Sequence, residues 1–239
     1  NHLEKTFKRP IIQRIFRSFL SLTLPNPKVF RTLSVLVNIV RPLNFIFPEF
    51  IKNSMKLMPA RLPKKTLKIQ KIYSVTKKIP VGRVALLTGC VQRVISPEIN
   101  ESTIRLLNRH QVEVIVLPEI NCCGSLDHHM GKEKAAHELF KKNINLWYEE
   151  YLNSGLTAII SNTSGCGTTL KDYGFIFRDD KEMKKKAKKI SELTKDVSEF
   201  LDKDIKLNFK KNEKTYKIAY HSPCSMQHGQ NVHQQPINL

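Results

Sequence analysis

The chain has 239 residues, 41% hydrophobic and 26% charged, a balance that excludes a disordered polymer and leaves room for one or two domains with buried cores. Its formal charge of +19 is uneven, because residues 1–80 carry 17 Lys and Arg against only Glu4 and Glu49, or +15 of the total. A basic first third suits an acidic partner, a membrane surface or nucleic acid, although the run at 184–189 shows that lysine is abundant elsewhere too.

In residues 1–80, Ile11, Ile12, Ile15, Phe16, Phe19 and Leu20 recur at helical spacing, with Arg14 and Arg17 between them. Pro25 and Pro27 break that helix, an apolar pattern resumes over 29–40, and a further helical piece covers 50–58. Residues 64–78 read as a basic linker. No membrane span is expected: the longest apolar stretch, 32–40, is closed by Arg41, and a span needs about 20 residues. The chain opens on Asn1 without a signal-peptide pattern, and both ends read as cut. This segment contains no Cys and, apart from His2, no His, so its expected role is packing or docking.

From residue 81 the pattern alternates strand and helix. A short apolar run at 84–87 fits a buried strand and ends at Thr88-Gly89-Cys90. A helix follows over 97–110, then a strand over 112–117 leading to Cys122-Cys123-Gly124. A long helix is expected over 132–152, a third strand over 157–161, and then Ser164-Gly165-Cys166-Gly167. Helical patterns near 168–173 and 181–201 precede a fourth strand at 217–220, which ends in His221-Ser222-Pro223-Cys224. The expected fold class is α/β: a parallel Rossmann-like sheet with right-handed crossovers and cysteines at strand carboxyl ends, preceded by a helical basic connector. Ligands of such sheets bind beyond the strands' carboxyl ends, and every cysteine here follows one. The texts of 84–90 and 218–224 are also faintly alike, each a strand, a short turn and Cys, so a second copy of the unit starts near residue 217. The expected division is a connector over 1–80, a cysteine-rich domain over 81–216 and a truncated repeat over 217–239.

Five cysteines, an odd count with two adjacent, in a chain without an export pattern argue against a disulfide framework and for metal ligands or catalytic thiols in a reducing, cytoplasmic setting. Cys90, Cys122, Cys123 and Cys166 at one sheet edge suit zinc or an iron–sulfur cluster; thiol redox chemistry and inert buried thiols are the other readings. The adjacent pair favours the cluster. Neighbouring side chains diverge and serve one small ion poorly, whereas a cluster accepts them at different irons. Glycines beside the cysteines let the backbone approach closely.

Cys90, thirty-one residues, Cys122-Cys123-Gly124, forty-two residues and Cys166 together resemble the CCG cysteine-rich domain. That domain occurs in heterodisulfide reductases, lactate-utilisation proteins and anaerobic glycerol-3-phosphate dehydrogenase. The stretches 84–96, 100–109, 122–131, 164–180 and 220–230 are similar to one branch, the iron–sulfur subunits of glycolate oxidase (glycolate dehydrogenase). The resemblance covers residues 80–239 closely, and residues 1–80 resemble the helical connector that follows that branch's ferredoxin-like module. It implies a chain that carries electrons beside flavin-binding subunits oxidising glycolate to glyoxylate, without itself binding the substrate. It also implies Cys90, Cys122, Cys123 and Cys166 as iron ligands and Cys224 as a ligand of a truncated second site. The fullest motif ends in Cys-x-x-Cys and builds a non-cubane cluster from five cysteines. Here Thr163 stands at the missing position, and four ligands suit a [4Fe-4S] cubane. Related flavin-linked 2-hydroxy-acid or glycerol-3-phosphate dehydrogenases, and a non-catalytic metal-stabilised docking module, are the alternatives.

His128 and His129 follow the CCG turn and are expected to cap a helix, line the surface or face cluster sulfur. Asp127 is expected to cap the long helix. Lys171, Asp172 and Tyr173 fall within the resemblance, with packing an equal account of Tyr173, and Trp147 is expected in the core; His221 and His228 receive no role. No Ser–His–Asp set, phosphate-binding glycine loop or paired acids is present, so bond-making chemistry is not expected within the chain. No nucleic-acid reading module is recognisable, and Phe16 and Phe19 lie on an apolar face rather than forming a stacking platform. The connector is expected on an acidic partner, at the inner face of the cytoplasmic membrane, or against the ferredoxin-like module.

Overall fold

The structure is a computed structural model that describes residues 6–63, 71–76, 79–205, 207 and 215–239. It begins with helices α1 (Ile11–Thr23), α2 (Pro27–Val40) and α3 (Glu49–Lys56). Asn26 caps α2 by accepting from the N–H groups of Lys28 and Val29, with Pro27 at the first helical position. Beyond Val40 the chain continues helically as a tight 3-10 segment, Arg41–Ile46.

That continuation bears on the expectation of no membrane span, because the apolar stretch does not end at residue 40. Pro27–Ile46 is a run of 20 residues, long and apolar enough to cross a membrane by length and composition; an 18-residue window within it has mean hydropathy 1.3, and 11% of that window is buried. Arg41 does not end it, because its guanidinium folds back to donate to Met55 O at 2.7 Å and Met58 O at 2.6 Å. The charge is satisfied by carbonyls at the end of α3, and the run goes on to Ile46 with a kink at Leu43, where φ is −91° and ψ 20°.

The sheet contains β1 (Ile72–Tyr73), β2 (Gly82–Leu87), β3 (Val112–Ile115), β4 (Ala158–Ser161) and β5 (Thr194–Asp196), in spatial order β1-β3-β2-β4-β5. β2, β3, β4 and β5 are parallel, and β1 joins β3 antiparallel. The connecting helices are α4 (Gln92–Ile95), α5 (Pro97–Arg109), α6 (Ser125–His129), α7 (Glu133–Ser154), α8 (Ser164–Ile176), α9 (Lys184–Leu193) and α10 (Val197–Lys203). One face of the sheet, with Ala85, Leu87, Ile115 and Ile159, packs against Phe140, Ile144 and Trp147 of α7 and against Leu170 and Tyr173 of α8. The other, with Val84, Leu86, Val114 and Ile160, packs on Leu107 of α5 and Phe200 of α10. Burial on both faces explains why these strands read as continuous apolar runs. Trp147 lies in the core as expected.

From β2 the chain moves to β3 on one side and then returns past β2 to β4 on the other. The winding therefore reverses between β2 and β4. Outside their carboxyl ends lies the crevice where open α/β sheets bind ligands.

Three expectations about elements need correcting. The helix expected over 181–201 is interrupted by β5, which pairs Ile159, Ile160 and Ser161 of β4 with Thr194, Lys195 and Asp196. The linker expected over 64–78 contains β1; residues 64–70, 77 and 78 lie outside the described residues. No strand forms over 217–220: these residues, all described, find no sheet edge, and Ile218 is 86% exposed.

Candidate functional site

Each of the first three parallel strands delivers a cysteine turn to the same edge. β2 ends at Leu87, and Gly89, with φ of +70°, bends the chain so that Cys90 enters the crevice. β3 leads through buried Val116 and Leu117 to Cys122 and Cys123. Gly124 then turns the chain at φ +84° into α6, a conformation that favours glycine. After β4, Cys166 lies in the first turn of α8. Cys90 and Cys166 thus flank the point where the winding reverses.

The four thiols lie in a row, Cys90, Cys122, Cys123 and Cys166, each perturbing the titration of its neighbour, and Cys123 Sγ is hydrogen-bonded to Cys166 Sγ at 3.1 Å. Cys122 and Cys123 are buried, and Cys90 and Cys166 are half-buried. The bond to Cys122, followed by burial, pushes the Cys90 thiol far above the usual range. The bond to Cys123 has the largest effect on Cys122, which is pushed up to about 12. For Cys123, the bond with Cys122 pulls downward, but the bond with Cys166 and burial outweigh it and the thiol is raised. Backbone donors offset part of this: Gly124 N–H points at Cys122 Sγ at 3.4 Å, and Ser125 N–H at Cys123 Sγ at 3.5 Å. Crowded thiols with N–H donors aimed at sulfur are suited to lose their protons to a cationic group, because metal ligation requires thiolate.

Among the described residues, no three His, Cys, Asp or Glu side chains are set up to hold a single metal ion. A row of four sulfurs does not converge on one centre as a tetrahedral zinc site must. It does offer sulfurs to different irons of a cluster, and the donor set, all thiols with N–H bonds to sulfur, fits such a group.

Side-chain amides brace the row, and none was singled out from the sequence. Asn100 Nδ2 donates to Thr88 O in the Cys90 turn at 2.8 Å. Its Oδ1 accepts from Gln92 at 3.0 Å and from Asn162 at 2.9 Å, and Asn162 stands at the end of β4. Thr163 donates its hydroxyl to Gln92 Oε1. The residue at the family's fifth cysteine position is therefore engaged in this network. Isolated Asn and Gln have no spacing signature, so nothing in the residue pattern marks them.

Asp127 does not cap α7, whose first turn has no side-chain cap. It is buried beside α1 and accepts a hydrogen bond from Ser21. Arg17 of the same helix donates to Met130 O at 2.7 Å. His128 packs on Phe140 with ring centroids 5.6 Å apart. Burial lowers its pKa and raises that of Asp172. Lys171 pairs with Glu199 at 2.6 Å and reaches Gln230 O at 3.4 Å.

Cys224 is exposed and, among the described residues, shares no hydrogen bond with the row. It precedes a π-helical turn, Ser225–Gly229, that docks on α8. Thr168 donates to Ser225 O at 2.9 Å, and Gln230 donates to Ser164 O at 2.8 Å.

Residues 84–171 match the family model of the CCG cysteine-rich domain. The chain is 33% identical over 232 residues to the glycolate oxidase iron-sulfur subunit of Escherichia coli, covering 96% of this chain and 53% of that protein. It is 26% identical over 198 residues to a probable glycolate oxidase iron-sulfur subunit of Bacillus subtilis, covering 81% of this chain and 43% of the relative. With lactate utilization protein A of a Geobacillus strain the identity is 25% over 158 residues, covering 66% and 63%. The chain spans about half the length of the glycolate oxidase relatives it matches, and no solved structure matches it. Residues 84–171 match the CCG cysteine-rich domain, and the similarity of the chain to glycolate oxidase iron-sulfur subunits extends beyond that stretch on both sides.

Proposed function

We propose that this chain is the electron-carrying part of an iron–sulfur subunit in a complex that oxidises glycolate to glyoxylate, receiving electrons from a flavin-binding partner. The observation that carries this reading is the row of Cys90, Cys122, Cys123 and Cys166 at the reversal point of the sheet. These four cysteines would hold a [4Fe-4S] cluster, and Cys224 would serve a second site. The cluster supplies reversible one-electron chemistry. The protein's part is to present thiolates, aim N–H groups at sulfur and exclude water, which together set the potential. The amide network brings no further thiol or carboxylate to the row, in keeping with four ligands. Iron and acid-labile sulfide in the complete subunit, with a broad visible absorbance that bleaches when glycolate is added with the flavin partner, supports the reading. Iron and sulfide with no bleaching would exclude the electron-transfer role and leave a docking module.

The proposal extends to location: the cytoplasm, with the connector on the inner face of the membrane. Here α1 carries the argument. Its polar side, with Arg17 and Ser21, docks on the cysteine domain, while Ile11, Ile12, Ile15, Phe16, Phe19 and Leu22 are exposed on the opposite side. Val35, Leu36, Ile39, Leu43, Phe45 and Ile46 are exposed on the adjoining helical run. A cleft of about 490 Å³ beside α1 is lined by Lys8, Arg9, Arg14, Arg17 and Lys132, with no carboxylate among its lining residues. Outward apolar surface next to clustered cations is the composition of an interfacial anchor, where each cation adds about 1 kcal/mol on an anionic leaflet.

A further inference from the structure

We propose that Tyr173 is a positioning residue for the cysteine turn. Its hydroxyl, backed by Asn143, holds the Cys123–Gly124 peptide so that the Gly124 N–H is aimed at Cys122 sulfur. The consequence for potential rests on the cluster reading above; the hydrogen-bond geometry does not.

Tyr173 OH donates to Cys123 O at 2.7 Å. In a trans peptide the C=O and the following N–H point in opposite directions across one rigid plane. Holding the Cys123 oxygen therefore sets the direction of the Gly124 N–H, which meets Cys122 Sγ at 3.4 Å. Asn143 Nδ2 holds the preceding carbonyl, Cys122 O, at 2.8 Å, and also approaches Tyr173 OH at 3.4 Å. Both carbonyls of the cysteine pair are thus gripped from the core side, and the grip on Cys123 O turns the Gly124 N–H toward Cys122 sulfur. The left-handed Gly124 permits this, as in other backbone nests that gather N–H groups around a negative centre.

Packing alone does not account for these residues. Tyr173 and Asn143 are fully buried among Phe140, Ile144, Trp147 and Leu170, where Phe and Leu would fill the same space without polar atoms. Asn143 Oδ1 has no hydrogen-bond partner there, a desolvation cost that an aliphatic side chain would avoid. Tyr173 also lies seven residues after Cys166 on α8, so the same helix carries one thiol of the row and the hydroxyl that orients its neighbours. Hydrogen bonds to sulfur disperse thiolate charge and favour the more negative, reduced cluster. The Tyr173 hydroxyl accordingly raises the potential.

The test uses the complete subunit and its Tyr173→Phe, Asn143→Ser and Ile190→Val variants. Tyr173→Phe is expected to bind iron and sulfide like wild type, with a more negative midpoint potential. Gly124 amide exchange should be about tenfold faster, the order expected for loss of one buried hydrogen bond. Asn143→Ser should shift the potential in the same direction by less, and Ile190→Val, which trims the same core from α9, should leave it in place. An unchanged potential and unchanged Gly124 exchange in an iron-replete Tyr173→Phe protein would overturn the proposal, as would an equal shift in Ile190→Val. If Tyr173→Phe assembles no cluster, the Asn143→Ser potential decides, and no shift there overturns it. Wild-type subunit without iron would instead sink the electron-transfer reading, and Gly124 exchange in Tyr173→Phe would still decide the geometry.

Discussion

Gly124 and Phe140 are in such close contact that a β-carbon on the glycine would clash with the edge of the phenyl ring, with Cδ1 only 2.8 Å away. Phe140 belongs to α7 and sits at the centre of the core, 4.8 Å from the Tyr173 ring between centroids. The glycine of the Cys-Cys-Gly turn is therefore required twice, by its φ of +84° and by the ring beneath it. Gly124→Ala should destabilise the protein by about 1–2 kcal/mol from the left-handed backbone and about 1–3 kcal/mol from overpacking. Denaturant unfolding should show this loss, and Phe140→Leu in the same chain should recover part of the overpacking share. Additive losses in the double variant would show that the ring is not the obstacle.

Asn100 couples the Cys90 turn to the end of β4, which precedes Cys166. Asn100→Leu would leave Thr88 O and the amides of Gln92 and Asn162 without their shared partner. It should cost about 1–3 kcal/mol, as an unpaired buried polar group does. Cluster retention should fall with it, read as faster iron loss to a chelator. Wild-type iron loss despite measurable destabilisation would confine Asn100 to the fold.

Asp180 offers a pH test. Its carboxylate accepts from Met183 N–H and Glu182 N–H, each at 3.0 Å, at the start of α9 and pairs with Lys141 at 3.0 Å. The Met183 bond first, then Lys141, holds its pKa below the ordinary 3.8. A depressed carboxylate contributes stability that is full above the unfolded pKa and lost as pH falls through the folded one. Wild type should melt above Asp180→Asn at neutral pH, with the gap closing below about pH 4. A gap that persists in acid would assign the effect to something other than charge.

The outward face of α1 predicts lipid binding. The complete subunit should co-sediment with anionic vesicles and not with neutral ones, and high salt should release it. Phe16→Ser with Phe19→Ser should weaken binding about tenfold or more, since each buried aromatic contributes about 1.5–3 kcal/mol. No binding to anionic vesicles, with this face covered by another part of the full-length protein, would make it an internal packing surface.

The strands bearing the cysteine turns are legible in the sequence because their residues are buried on both faces: Val84 to Leu87 and Ala158 to Ser161 are apolar runs closed by turn residues. β5 is not, because Thr194, Lys195 and Asp196 have no strand pattern and join the sheet only through β4. Conversely, the apolar alternation at 217–220 resembles a strand but meets no edge. The helical period of α1 is plain, yet period gives a helix its two faces without saying which one meets the domain. Here the docking is by Arg17 and Ser21, the inverse of the usual arrangement. The cysteines themselves stand out because clustered thiols are rare and follow strand ends. Asn100, Asn143 and Asn162 do not, because their roles depend on partners 12 to 62 residues away.

The central claim is that Cys90, Cys122, Cys123 and Cys166 together hold one iron–sulfur cluster. Iron, sulfide and redox-active absorbance should be measured in the complete subunit carrying each cysteine-to-serine change, with Cys224→Ser as the comparison. Serine oxygen is a harder and poorer ligand for iron than thiolate. Cys90→Ser, Cys122→Ser, Cys123→Ser and Cys166→Ser should each remove or weaken the same signal, while Cys224→Ser should leave that signal in place. Full iron content and unchanged redox behaviour in Cys123→Ser, the buried centre of the row, would contradict the claim.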